Sequence, residues 1–278
     1  MGLFSHERGS GTPLVLLHGF GVDHRILLPL DPAIERAGGW RRIFLDLPGA
    51  TGSPDAAIRS TRQVAEATLA EVRERVGSEP FAILGNSYGG LIARYVAHEL
   101  RSQVLGLATL AGVFVADHDA RDLPPRAVLH VDDRVIPILG DELDGYRDLA
   151  VHESPEGALA HLEFVAPGLH GADQAALDRI SADYDLPRAP EDVHPAAFLQ
   201  PSLHLTARQD HVVGYRDAWA RLEHYPRATF VALDGAGHNA HLERPDLVAA
   251  LVADWLARIR TGIEDGGAAR VIGTVSAT

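Results

Sequence analysis

Ser87 stands in Gly85-Asn86-Ser87-Tyr88-Gly89, a Gly-x-Ser-x-Gly turn, and far along the chain Asp210 and His238 each follow an apolar run. A serine hydroxyl is a poor nucleophile near neutral pH until a neighbouring base takes its proton. Imidazole titrates in the range that suits this task, and a buried carboxylate fixes its tautomer and stabilises the imidazolium. These three residue types suffice for attack on a carbonyl carbon, provided that the fold brings 87, 210 and 238 together.

The elements around them are arranged to do so. Residues 81–84, Phe-Ala-Ile-Leu, read as a buried strand, and apolar positions 91, 92, 95, 96 and 100 repeat at helical spacing. Strand, tight glycine turn and helix in that order hold a serine in strained backbone geometry with its hydroxyl above a sheet. The helix N-terminus then favours negative charge developing there. Residues 14–17 form a second buried run and lead into His18-Gly19-Phe20-Gly21, a turn whose amides would lie above the same sheet, where an oxyanion hole is built.

Further strands are expected at 41–45, 104–110, 202–206 and 229–233, with an edge strand beginning near Leu3 and Phe4. Helices are expected at 26–36 despite Pro29 and Pro32, at 61–76 with Ser60 or Thr61 as cap, at 216–222, and from Pro245 onward. Alternating strands and helices imply an α/β fold: a mostly parallel central sheet covered by helices on both faces. The carboxyl ends of parallel strands share one edge. Ser87, Asp210 and His238 each follow such an end, so the topology predicts that they meet in one crevice.

Between residues 116 and 194 the pattern changes. Acidic residues, histidines and prolines become frequent, and helical spacing returns only at 154–165, with Ser154-Pro155-Glu156 as its start, and at 172–184. This predicts a helical cap (116–194) inserted into a core of residues 1–115 and 195–260, with the substrate between them. Residues 261–278 show no periodicity and are expected to be a mobile tail.

Composition excludes several chemistries. A net charge of -13 argues against nucleic acid and anionic membranes as partners. Cysteine is absent, which removes thiol nucleophiles and thiolate metal sites; all 25 basic residues are arginine, which removes lysine Schiff bases. No apolar run approaches the roughly 20 residues of a membrane span, and the N-terminus has no signal-peptide pattern, so cytoplasmic residence is expected. Asp234 and Asp217 compete weakly with Asp210 for the acid role. His18 reads as a structural hydrogen-bonding residue, and His241 beside His238 lacks the carboxylate or third histidine that a metal site needs. No metal and no cofactor is expected.

The turn around Ser87, His18-Gly19-Phe20, Asp210 in Arg-x-Asp-x-Val-Val, and Gly235-Ala236-Gly237-His238 together resemble the α/β-hydrolase family over roughly residues 14 to 260. The chain order Ser, Asp, His is the one this architecture uses. The resemblance implies Ser87 as nucleophile, His238 as general base then acid, Asp210 as orienting acid, and the Phe20 and Tyr88 amides as the oxyanion hole. It implies hydrolysis of a small ester or lactone through an acyl-enzyme. The Gly-Asn-Ser-aromatic-Gly-Gly turn also looks like that of carbon-carbon bond hydrolases of ring-fission products, and Gly237-His238-Asn239-Ala240-His241 is similar to a segment of an eliminating enzyme of menaquinone synthesis. Peracid-forming relatives and non-catalytic ligand-binding relatives share the fold.

Overall fold

The computed structural model describes residues 2–53 and 57–264. Strands β1 (Ser5–Arg8), β2 (Thr12–Leu17), β3 (Trp40–Leu45), β4 (Phe81–Asn86), β5 (Val104–Leu110), β6 (Ser202–Ala207) and β7 (Ala228–Leu233) form one seven-stranded sheet in the order β1-β3-β2-β4-β5-β6-β7. From β2 to β7 all neighbours pair in parallel; β1 runs antiparallel to β3 at the edge. It begins at Ser5 rather than Leu3, because the Leu3 and Phe4 amides are taken by the Glu71 carboxylate and the Ser53 hydroxyl.

Both faces are covered, which is why the strands read as continuous apolar runs. Val15, Leu17, Phe81 and Ile83 enter one apolar layer with helices α2 (Thr61–Val76) and α3 (Tyr88–Glu99). Leu14, Leu16, Ala82 and Leu84 enter the other with α1 (Asp31–Ala37) and α12 (Pro245–Glu264). The helix expected at 26–36 is split into a 3-10 stretch, His24–Leu30, and α1, which starts with Pro32 in its first turn. Pro29 cannot donate the backbone bond that a continuous α-helix would need there. Of the expected tail, residues 261–264 are the end of α12, and 265–278 lie outside the described residues.

Between β5 and β6 run α4 (Ile136–Leu139), α5 (Leu143–Leu149), α6 (Pro155–Phe164), α7 (Ala166–Gly171), α8 (Gln174–Ser181) and α9 (Pro190–Val193). Ser154 and Asp173 cap α6 and α8 through side-chain bonds to Gly157 and Ala176 amides. These two helices carry the spacing that the sequence displays. The others have four to seven residues, too few for a period to show. Val135, Leu139, Tyr146, Ala150 and Ala158 give this segment a small apolar core of its own. After β6 come α10 (Arg216–Ala220) and α11 (Ala240–Glu243).

The returning end of that segment is tied to the interior by charge. Arg94 on α3 is fully buried and donates to both Glu191 carboxylate oxygens, at 2.8 and 2.5 Å, and to the Val113 carbonyl at 2.8 Å. The Tyr225 hydroxyl also donates to Glu191, and His98 Nε2 donates to that hydroxyl oxygen at 3.1 Å. Burial opposes ionisation of Glu191, but the Arg94 guanidinium overcomes it and holds the carboxyl well below the usual range. Removing one member of a buried pair strands the other charge at a cost of about 3–5 kcal/mol. Arg94→Met should therefore lower stability by about that much in urea unfolding, and Arg94→Met with Glu191→Leu should recover most of the loss.

Burial also holds His98 and His204 neutral, with pKa values pushed down to about 3, and His241 down to about 4. Each folded value lies below the roughly 6.5 of an exposed histidine, so the unfolded chain binds the extra protons. Their stabilisation is full above about pH 6.5 and is lost as pH falls toward about 4 for His241 and about 3 for His98 and His204, at roughly 1.4 kcal/mol per pH unit for each. Thermal melts should show a lower midpoint at pH 5 than at pH 7.5; an equal or higher one would contradict this.

Candidate active site

Ser87 forms the corner between β4 and α3, with φ 53° and ψ -118°. The left-handed region is costly for any residue with a Cβ. Here it is imposed by three backbone bonds: Ser87 N–H to the Leu110 carbonyl at 2.9 Å, and the Ser87 carbonyl accepting from Gly90 and Val113 amides at 2.9 and 3.0 Å. The flanking glycines are required by contact. A Cβ at Gly85 would overlap the Gly89 carbonyl, and one at Gly89 would overlap the carbonyls of Leu17 and His18.

His238 follows β7 and Asp210 follows β6, so both arrive at the edge where β4 delivers Ser87. His238 Nε2 lies 2.9 Å from Ser87 Oγ, and Nδ1 lies 3.0 Å from Asp210 Oδ2. Asp210 is fully buried, and its other oxygen accepts from the Val212 and Val213 amides at 2.9 and 3.1 Å. A carboxylate so placed accepts a hydrogen bond from Nδ1–H and leaves Nε2 as an acceptor facing the hydroxyl. The three residues singled out in the sequence are thus one hydrogen-bonded chain.

The competing residues are engaged elsewhere. Asp234 accepts from the Gln209 side chain at 2.8 Å, and Asp217 accepts from the Asp122 amide at 3.3 Å. His241 is buried and donates through Nε2 to the Ile26 carbonyl at 2.9 Å. His18 receives the Leu47 amide on Nε2 at 2.8 Å, which makes Nδ1 the protonated nitrogen that donates to the Gly19 carbonyl at 2.7 Å. Burial lowers its pKa, so this neutral ring braces the turn that carries Phe20. No acceptor among the described residues takes the Phe20 amide, and Tyr88 is the first residue of α3, where amides have no intrahelical partner. The Phe20 ring packs edge-on against Tyr88 at 5.3 Å and Tyr184 at 5.4 Å.

A cavity of about 110 Å³ opens onto Ser87 and His238. Gly19, Phe20, Val22, Ile26, Asn86 and Asn239 line it from the sheet side; Gly145, Leu149, His161, Val165 and Leu169 line it from the helical segment. Sequence reading missed this second set. Asn239 adjoins His238 and was within reach of that argument, whereas His161 and Leu149 are placed by the packing of α5 and α6 alone. Glu243 joins the two sides: Oε2 accepts from Gly237, next to His238, at 2.6 Å, and Oε1 accepts from Val151 and His152 at 2.7 and 3.0 Å.

With the geometry in place, known proteins give it a context. The chain is 26% identical over 273 residues to the biotin biosynthesis bifunctional protein BioHC of Cellvibrio japonicus, covering 95% of this chain but 51% of that longer protein. It is 22% identical to the pimeloyl-[acyl-carrier protein] methyl ester esterase of Legionella pneumophila (strain Paris), over 92% of this chain and all of that one. It is 27% identical to the 2-succinyl-6-hydroxy-2,4-cyclohexadiene-1-carboxylate synthase of Klebsiella pneumoniae (strain 342), over 89% and 95%. Among solved structures, an alpha/beta superfamily hydrolase from Oenococcus oeni PSU-1 superposes with a TM-score of 0.87 at 25% identity, over 92% of this chain and 96% of that one. The sequence model of the alpha/beta hydrolase family matches residues 14–251, and with the sheet order and strand-end geometry above, the chain belongs to that family.

Proposed function

We propose that this chain is a serine hydrolase of small carboxylic esters or lactones, working through an acyl-enzyme on Ser87. The observation that carries the reading is the unbroken line from buried Asp210 through His238 to the Ser87 hydroxyl, opening on a cavity. As Oγ attacks the substrate carbonyl carbon, His238 Nε2 takes its proton, and Asp210 stabilises the imidazolium. The Phe20 and Tyr88 amides receive the negative charge on the carbonyl oxygen. Collapse of the tetrahedral intermediate expels the alcohol, to which His238 returns the proton. Water, deprotonated at the same nitrogen, then attacks the Ser87 ester and frees the acid.

The Legionella relative is named an esterase, which supports the hydrolytic reading. The Klebsiella relative is named a synthase, so a cofactor-free elimination on the same three residues is the second reading. The compound in that relative's name is a carboxylate, and no arginine is among the described residues lining the cavity here, which favours a neutral ester. Carbon-carbon bond hydrolysis and peracid formation would use the same nucleophile. A non-catalytic binder would not need an activated serine.

A fluorophosphonate probe should label Ser87, and Ser87→Ala should lose labelling and lower turnover of a short ester by roughly a thousandfold to a millionfold. An unlabelled wild-type chain, or a variant with wild-type turnover, would sink the nucleophile assignment. The strained corner gives a second readout that does not depend on substrate. Ser87→Gly and Ser87→Ala both lack the hydroxyl, but only glycine adopts this φ freely, so the glycine variant should be about 1 kcal/mol the more stable in urea, after its larger unfolded-state entropy is subtracted.

A further inference from the structure

We propose that His161 and Asn239 form a recognition pair for a hydroxyl group on the substrate's acyl portion, so that the preferred substrates are esters or lactones of short, uncharged hydroxy acids. This rests on Ser87 acting as the nucleophile.

Size sets the first limit. An apolar cavity of about 150 Å³ accommodates a benzene ring. The cavity of about 110 Å³ beside Ser87 and His238 is smaller still, so the part of the acyl chain held between its walls is about four or five heavy atoms.

Charge sets the second limit. Among the described residues lining the cavity there is no arginine, aspartate or glutamate, and the walls include Val22, Ile26, Leu149 and Val165. A substrate carboxylate placed there would be desolvated without a partner, at a cost of several kcal/mol.

Polar pairing sets the third. Asn86 spends its amide N–H on the Leu110 carbonyl at 3.1 Å and holds the corner. Asn239 and His161, by contrast, both line this cavity and the smaller one beside it, and no hydrogen bond to the Asn239 side chain or to His161 Nδ1 is made among the described residues. His161 is 3% exposed, and its Nε2 makes no hydrogen bond among the described residues; the Glu142 carboxylate lies 3.5 Å from it, a charge contact that favours the proton on Nε2. Burial lowers the His161 pKa against the opposing pull of Glu142, so the ring is neutral at working pH. With the proton on Nε2 toward Glu142, Nδ1 is left as an acceptor. The Asn239 amide offers both donor and acceptor. A hydroxyl is the small neutral group that satisfies the two together, giving its proton to His161 and accepting from Asn239. Buried polar groups left without partners by an analogue that lacks the hydroxyl penalise that analogue, and this is the strongest form of discrimination a small pocket can achieve.

The test compares kcat/KM for methyl 3-hydroxybutyrate, methyl butyrate, methyl octanoate and monomethyl succinate, followed by methanol release, in the wild-type chain and in His161→Phe, His161→Gln and Asn239→Leu. The wild type should favour the hydroxy ester over methyl butyrate by about tenfold or more, and should turn over the octanoate and the succinate half-ester most slowly. The hydroxy-to-butyrate ratio should fall toward one in His161→Phe and Asn239→Leu, whatever happens to the absolute rates. His161→Gln, which keeps an acceptor, should retain part of it. A wild-type ratio at or below one, a ratio that survives both apolar substitutions, or succinate turnover equal to butyrate turnover overturns the proposal while leaving the nucleophile intact. Fluorophosphonate labelling separates the two layers: failure to label Ser87 brings down the underlying reading and this one with it.

Discussion

The corner at Ser87 is the constraint on which the rest depends. A backbone at φ 53° with a side chain attached is held only if its surroundings leave no cheaper conformation, and Ala111, at the end of β5, sits at φ 45° for a related reason. The two corners support each other: Ser87 donates to Leu110, and Val113 donates back to Ser87. Arg94 reaches the Val113 carbonyl from α3, and Glu191 fixes Arg94 from the far end of the helical segment. The strain stored at Ser87 is thus braced, through Val113, by a buried ion pair. That gives an interior guanidinium a structural reason to be there, although burying it costs free energy that only its partner offsets.

His238 and Asp210 are positioned by a separate device. Their loops carry few apolar residues and are fixed instead by side-chain caps on backbone amides. Asp210 caps Val212 and Val213, Gln209 accepts from Gly235 at 3.0 Å, and Glu243 accepts from Gly237 while holding Val151 and His152. Each bond is modest alone, about 1 kcal/mol net and more where the acceptor is a carboxylate. Together they lock His238 between two neighbours that it must touch simultaneously, and they tie the wall of the cavity to the same loop.

The sheet and the three polar residues were legible in the sequence because both signals are local. A strand buried on both faces must be apolar at every position, as 14–17 and 81–84 are, and strand ends are where glycine, Asp210 and His238 stand out. The helical segment was legible only in outline. Its short helices hold too few residues for a period to emerge, and Leu149, His161 and Leu169 meet the cavity through packing between elements rather than through any motif. Glu191 shows the same limit: nothing in Pro190-Glu191-Asp192 marks which acid turns inward to Arg94. The helix expected at 26–36 missed its split because the pattern of apolar residues continues through Pro29 while the backbone donors do not.

The absence of lysine sharpens the character of the site. With lysine absent, every side chain that is cationic at all ordinary pH is a guanidinium, which prefers a bidentate carboxylate partner. Arg94 with Glu191 and Arg25 with Asp23 follow that preference, whereas part-buried Arg121 spends its guanidinium on the Val115, Ala116 and Val212 carbonyls. A guanidinium committed in this way is not free to face a ligand. What the cavity retains is two imidazoles, two amides and hydrocarbon around one hydroxyl, with no arginine, aspartate or glutamate among the described residues that line it. In the reaction proposed above, the negative charge on the substrate oxygen would meet the backbone dipoles at Phe20 and Tyr88 and the positive charge would sit on His238, and in a weakly polar lining those dipoles act at greater strength than they would in water.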